Sequence, residues 1–130
     1  MKTYRNRLVG LGLLLASFVA HGQTEPKNLQ PTQAAQWLDK DKGVVVLDVR
    51  TVAEFRTGHL KNAVNIDYTA PDFEQLVGKL DRTKRYLLHC AVGGRSTKAL
   101  RVLQTLGFKD VRHLDGGLQA WQQANLPVVK

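Results

Sequence analysis

Cys90 is the only cysteine in the chain. It stands where the strand-like run Tyr86-Leu87-Leu88-His89 gives way to Ala91-Val92-Gly93-Gly94-Arg95-Ser96 and then to a helix-like segment. A lone cysteine after apolar strand residues is most often a small buried hydrophobe without chemistry. The residues that follow it argue for a nucleophile instead. Two adjacent glycines can take up positive φ and turn successive N–H groups inward as an anion-binding nest. The segment from Ser96 to Leu106 opens on a good N-cap residue and carries Ala99, Leu100, Val102, Leu103 and Leu106 at helical spacing. Its N-terminus would aim partial positive charge at the sulfur. Arg95 adds a permanent cation with a bidentate donor fork. A thiol with an ordinary pKa near ~8.5 falls to roughly 3.5–7.5 in such surroundings, so Cys90 would stand ionised at neutral pH.

The ends of the chain bear on that thiol. Lys2, Arg5 and Arg7 precede an apolar run from Leu8 to Ala20, and Ala20-His21-Gly22 offers small residues where a signal peptidase needs them. Residues 1–22 therefore read as a cleavable signal peptide and residues 23–130 as one mature domain, periplasmic or secreted. The apolar run is short for a bilayer span, so no stable membrane association is expected after cleavage. Exported proteins usually hold their cysteines in pairs as disulfides. One unpaired thiol in an oxidising compartment calls for a reason, and reactivity supplies it.

The formal net charge of +8 includes those three leader cations. The remaining excess is scattered, apart from a cluster at Arg82, Lys84 and Arg85, and reads as solvated surface that also favours small anionic substrates. No basic stripe interleaved with aromatic residues accompanies it, so nucleic acid is not an expected partner. His59, His89 and His113 have no metal-ligand spacing with one another or with Cys90, and no phosphate loop of the Walker type is present. Neither a metal nor a cofactor is expected.

Strands and helices must alternate to place the Cys90 loop. Val44-Val45-Val46-Leu47 is a continuous apolar run, as expected of a strand buried on both faces of a parallel sheet. A helix capped by Thr32 precedes it. Ala63 to Ile66, Tyr86 to Cys90 and Val111 to Leu114 supply further strands. Asp72 to Leu80, Ser96 to Leu106 and a last segment after Gly116-Gly117 that holds Trp121 supply helices. Trp37 and Trp121 read as packing residues. This order predicts a small doubly wound α/β domain, a parallel sheet with helices on both faces, and ligands at the carboxyl ends of its strands.

Three ordered stretches carry a resemblance. They are Asp48-Val49-Arg50 with Glu54-Phe55, Gly58-His59-Leu60, Ala63 and Asn65; then Cys90-Ala91-Val92-Gly93-Gly94-Arg95-Ser96; then Asp115-Gly116-Gly117-Leu118 with Trp121. Together they resemble the rhodanese family of sulfurtransferases, over about Leu29 to Pro127. The resemblance implies that Cys90 takes a sulfane sulfur from a donor such as thiosulfate. As a persulfide, it passes that sulfur to a thiophilic acceptor such as cyanide or a thiol. It implies a substrate cradle of Ala91, Val92, Gly93, Gly94, Arg95 and Ser96, supported by Asp48, Arg50 and Glu54. Arg50 and Glu54 are expected as a structural ion pair at the end of the first strand. His59 reads as a turn and hydrogen-bonding residue. His89 points to the opposite strand face from Cys90 and is not expected to be a general base. Cell-cycle phosphatases of the same fold are similar but carry five residues between cysteine and arginine, where this chain has Ala91 to Gly94. The shorter cradle favours sulfur over phosphate. A carrier or anion-binding module without turnover is the competing reading.

Overall fold

The computed structural model describes residues 16, 17 and 27–130. The leader expectation for residues 1–22 therefore falls, apart from residues 16 and 17, outside the described residues. The elements run β1 (Asn28–Leu29), α1 (Pro31–Lys40), β2 (Val45–Asp48), α2 (Val52–Thr57), β3 (Val64–Asn65), α3 (Phe73–Gly78), β4 (Arg85–His89), α4 (Gly94–Thr105), β5 (Asp110–Leu114) and α5 (Gly117–Gln123). All strand pairs are parallel, in the order β1-β5-β4-β2-β3. The expected doubly wound α/β domain is the observed one.

Strand periodicity divides the core into two layers. Leu47, Val49, Tyr86, Leu88 and Cys90 face α3 and α4, where Phe73, Val77, Ala99 and Leu103 meet them. The alternate strand residues Val46 and Leu87, with Leu114 of β5, face α1 and α5, where they meet Ala34, Leu118 and Trp121. Successive strand residues are thus buried on opposite faces, the physical reason the strands read as unbroken apolar runs. Each fully buried leucine contributes roughly 1.5–3 kcal/mol relative to exposure. Trp121 packs in the second layer and donates its indole N–H to the Pro127 carbonyl at 2.9 Å. Trp37 lies at the edge of that layer, with the Arg112 guanidinium 4.1 Å above its ring.

Several boundaries differ from the sequence reading. Helix α1 begins at Pro31, with Gln30 rather than Thr32 as its cap. Proline loses nothing there, because its missing N–H would be unpaired in the first turn. Helix α4 begins at Gly94, so Ser96 lies in the first turn and not at the cap. Gly93 takes φ 124° and makes that cap, whereas Gly94 does not have positive φ. The two-glycine nest is therefore a one-glycine turn. Two elements escaped the sequence reading altogether, the short edge strand β1 and helix α2.

Candidate active site

The site forms at the carboxyl ends of β2, β4 and β5, where the register sets which side chains meet. Leu88 of β4 pairs with His113 of β5, and Asp48 of β2 pairs with His89 of β4. Paired residues in parallel strands share a face. His113 therefore lies on the α4 side with Cys90, and Asp48 lies with His89 on the other.

Cys90 follows β4 directly and is 1% exposed. Its Sγ accepts the Gly93 N–H at 3.1 Å and the Ser96 hydroxyl at 3.2 Å. Burial pushes the Cys90 thiol up, but the Ser96 hydroxyl and the backbone N–H groups of Ser96, Gly93 and Val92 outweigh it, and the net shift is downward. Ser96 is itself fully buried, and its Oγ stands 2.6 Å from His113 Nε2. The first turn of α4 thus delivers a hydroxyl to the sulfur as well as backbone dipoles.

Two contacts hold the loop from below. The Leu118 N–H donates to the Cys90 carbonyl at 2.9 Å and the Gln119 N–H to the Ala91 carbonyl at 3.0 Å. A Cβ on Gly117 would lie 2.6 Å from both carbonyl oxygens, and Gly117 has φ +61°. The glycine is there because backbone packs on backbone at that point. The Asp115-Gly116-Gly117 stretch is therefore the seat of the Cys90 loop.

The charged residues pair differently from expectation. Glu54 does not pair with the Arg50 guanidinium through its carboxylate. Its Oε1 and Oε2 receive Arg95 Nη1 and Nη2 at 2.6 and 3.0 Å. The cause is the start of α2, where Thr51 caps the helix and accepts the Glu54 N–H, while Glu54 Oε1 accepts back from Thr51. That turn carries the Glu54 carboxylate toward α4. The Arg95 side chain, with burial opposing it and Thr51 assisting, holds Glu54 at a pKa of about 2. The fork of Arg95 is therefore occupied by Glu54.

Arg50 instead closes on Asp48. Its Nε lies 3.0 and 3.1 Å from the two carboxylate oxygens, and its Nη2 lies 2.7 Å from Oδ2. Nη2 also donates to the Gly58 carbonyl at 2.8 Å. Both side chains are buried. Satisfied on several sides, the pair is scaffold, and it ties β2 to the turn that ends α2.

His89 fills the space behind the loop. Its Nδ1 is 2.9 Å from the Cys90 carbonyl, and its Nε2 is 3.6 Å from Asp48 Oδ2 with no hydrogen-bond partner. Burial pushes its pKa down despite the pull of Asp48. It has no contact with Sγ, as its strand position implied. His59 stacks on Phe55 at 3.7 Å between ring centroids and meets the Phe55 carbonyl at 2.9 Å, a local hydrogen-bonding role.

Sequence reasoning missed His113. Its one local signal is a polar residue on the buried face of an apolar strand, next to Leu114-Asp115-Gly116-Gly117. Which side chain it would meet depends on strand register, which no local pattern shows.

The fold and the site together define a parallel α/β domain that holds one cysteine side chain in a loop between a strand and a helix. The rhodanese-like domain pattern matches residues 30–124, and the chain belongs to the rhodanese family. It is 38% identical over 119 residues to the rhodanese-like domain-containing protein 17 of Arabidopsis thaliana, covering 81% of this chain and 75% of that protein. It is 33% identical over 100 residues to the thiosulfate sulfurtransferase GlpE of Pseudomonas savastanoi pv. phaseolicola, covering 76% of this chain and 90% of that one. Among solved structures, a rhodanese-related protein from Thermoplasma volcanium superimposes with a TM-score of 0.71 at 30% identity, over 79% of this chain and 97% of that one. Other curated relatives are longer proteins, of which the chain spans 28% in one and 54% in another.

Proposed function

We propose that the protein is a sulfurtransferase that carries sulfane sulfur on Cys90, with thiosulfate or a similar small anion as donor. In the first step the thiolate attacks the outer sulfur of thiosulfate. The S–S bond breaks with its electron pair on the departing sulfite, and Cys90 keeps the sulfur as a persulfide anion. In the second step a thiophilic acceptor, cyanide or a thiol, takes the terminal sulfur and the thiolate returns. Each resting form is an anion that the same donors can hold.

The observation that carries this reading is the convergence of the Gly93 N–H and the Ser96 hydroxyl on Cys90 Sγ. An open groove of about 480 Å3 runs beside the loop, lined by Val92, Gly93, Thr97, Lys98, Arg101 and His113 among others. Lys98 and Arg101 beside the loop favour an anionic donor. The near-complete burial of Cys90 favours a compact donor over a bulky one. The named activity of the Pseudomonas relative is of the same kind. Export to the periplasm or beyond belongs to the proposal too, on the strength of the leader residues, as does the absence of nucleic-acid partners and of stable membrane association.

The test is thiosulfate:cyanide sulfur transfer by the purified protein and by Cys90→Ser. Turnover in the native protein, lost in the variant with its fold intact by circular dichroism, is the expected result. Full activity in Cys90→Ser would overturn the covalent route. A native protein that takes up sulfur but does not turn over would be a carrier.

A further inference from the structure

His113 is a buried ionisable side chain that the sulfur-transfer chemistry above leaves without a task. It lies at the end of a chain of contacts that reaches the sulfur, His113 Nε2 to Ser96 Oγ at 2.6 Å and Ser96 Oγ to Cys90 Sγ at 3.2 Å. The Ser96 hydroxyl has one proton and three neighbours that could receive it: Cys90 Sγ, His113 Nε2 and, at 3.2 Å, the Gly93 carbonyl. The Gly93 carbonyl already accepts the Thr97 N–H at 3.0 Å and the Thr97 hydroxyl at 2.7 Å, so it needs no third donor.

The choice is then between sulfur and imidazole. If Ser96 donated to His113, an oxygen lone pair would face an anionic sulfur 3.2 Å away, with no proton between them. A buried thiolate that loses a donor in this way loses much of what keeps it ionised. If His113 carries its proton on Nε2 and donates to Ser96 Oγ, the hydroxyl proton is free to point at Cys90. We infer that His113 is a positioning residue for sulfur transfer, whose Nε2–H fixes the direction of the Ser96 hydroxyl and so keeps Cys90 a thiolate. The inference rests on Cys90 reacting as a thiolate and not on which donor or acceptor it serves.

The groups around His113 fit this role. Ser96 faces it from the first turn of α4, and Lys98 and Arg101 line the groove beside it. Asp115 pulls its pKa up from the β5–α5 turn, while His89 on β4 is a more distant electrostatic neighbour. Burial outweighs Asp115 and pushes the His113 pKa down, which favours the neutral ring with a single proton to be placed. Protonation at lower pH would add a proton to Nδ1 and leave the Nε2–H in place.

The test reads the thiol directly and needs no sulfur donor. The rate of alkylation of Cys90 by iodoacetamide is measured against pH in the native protein, His113→Leu, His113→Gln and Ser96→Ala. His113→Leu removes the donor at similar size and leaves the Ser96 hydroxyl free to turn to the Gly93 carbonyl, 3.2 Å away, as well as to Cys90 Sγ. Its alkylation midpoint should rise, by up to about one pH unit, making the reaction up to roughly tenfold slower below the native midpoint. His113→Gln, whose amide N–H can reach the Nε2 position, should restore most of the native titration. The double variant Ser96→Ala/His113→Leu should be no worse than Ser96→Ala alone, because both act through one hydroxyl. Coincident titration curves for native protein and His113→Leu would overturn the inference. Should His113→Leu fail to fold, the ring 15N spectrum of the native protein decides at pH 7. A protonated Nε2 is required, and a bare Nε2 would contradict the assignment whatever the protein's sulfur-transfer activity.

Discussion

Arg95 has both of its terminal nitrogens on one carboxylate, that of Glu54, at 2.6 and 3.0 Å. The cation expected to grip substrate is already partnered, and the pair links the start of α2 to the first turn of α4. This arrangement gives the two residues opposite effects on an approaching anion. With Arg95→Ala, the uncompensated Glu54 carboxylate repels thiosulfate, and KM should rise severalfold. With Glu54→Gln, Arg95 is released toward the loop, and KM should fall or stay level. Alkylation of Cys90 by neutral iodoacetamide should change little in either, since its hydrogen-bond donors are Gly93 and Ser96. A fall in KM on removing Arg95 would contradict the arrangement.

The same pair has a pH signature. The pKa of Glu54 is held at about 2, below its ordinary 4.5, so the carboxylate binds its proton less readily folded than unfolded. Its contribution to stability is therefore present above about pH 4.5 and is lost as pH falls through that window toward 2. The difference in melting temperature between native protein and Glu54→Gln should narrow over that range. A difference that persists unchanged down to pH 2 would show that the carboxylate acts some other way. Both side chains are partly exposed, so the effect will be modest and smaller in high salt.

Gly93 and Gly94 look equivalent in the sequence and are not. Gly93 has φ +124°, whereas Gly94 has no positive φ, opens α4 and has open space where a Cβ would go. Gly93→Ala should disturb the N–H that meets Cys90 Sγ and reduce sulfur transfer at least tenfold, on the order of a lost hydrogen bond to an anion. Gly94→Ala should be near neutral in activity and stability. Equal loss from both substitutions would contradict the one-glycine turn.

Gly117→Ala tests the seat of the loop. Its Cβ would strike the Cys90 and Ala91 carbonyl oxygens at 2.6 Å, from a backbone position that L side chains rarely adopt. Urea denaturation should show a loss of roughly 2–5 kcal/mol, the sum of a left-handed residue and an overpacked contact. A loss under about 0.5 kcal/mol, the usual size of a neutral surface change, would mean the turn is free to move.

These residues also show what a single sequence can carry. The strand runs, the Cys90 loop and the order of elements were legible because each is a local pattern. Burial on both faces makes β2 and β4 unbroken apolar runs, and glycines mark the turn. Helix α2 was legible but unread, since Thr51 with Glu54 three residues on is a capping box. The partners of the charged residues were not legible. Asp48, Arg50, Glu54 and Arg95 could combine in more than one way, and their choice follows from the α2 turn and the parallel register of β2 with β4. His113 meets Ser96 only because Leu88 pairs with His113 across two strands far apart in sequence.

The proposed chemistry turns on one atom, Cys90 Sγ, and intact-mass measurement after thiosulfate treatment addresses it most directly. The protein should gain the mass of one sulfur atom, the gain should map to the Cys90 peptide, and cyanide should remove it. Cys90→Ser should gain nothing. A native protein whose mass is unchanged by thiosulfate, while its Cys90 still reacts with iodoacetamide, would contradict the persulfide account.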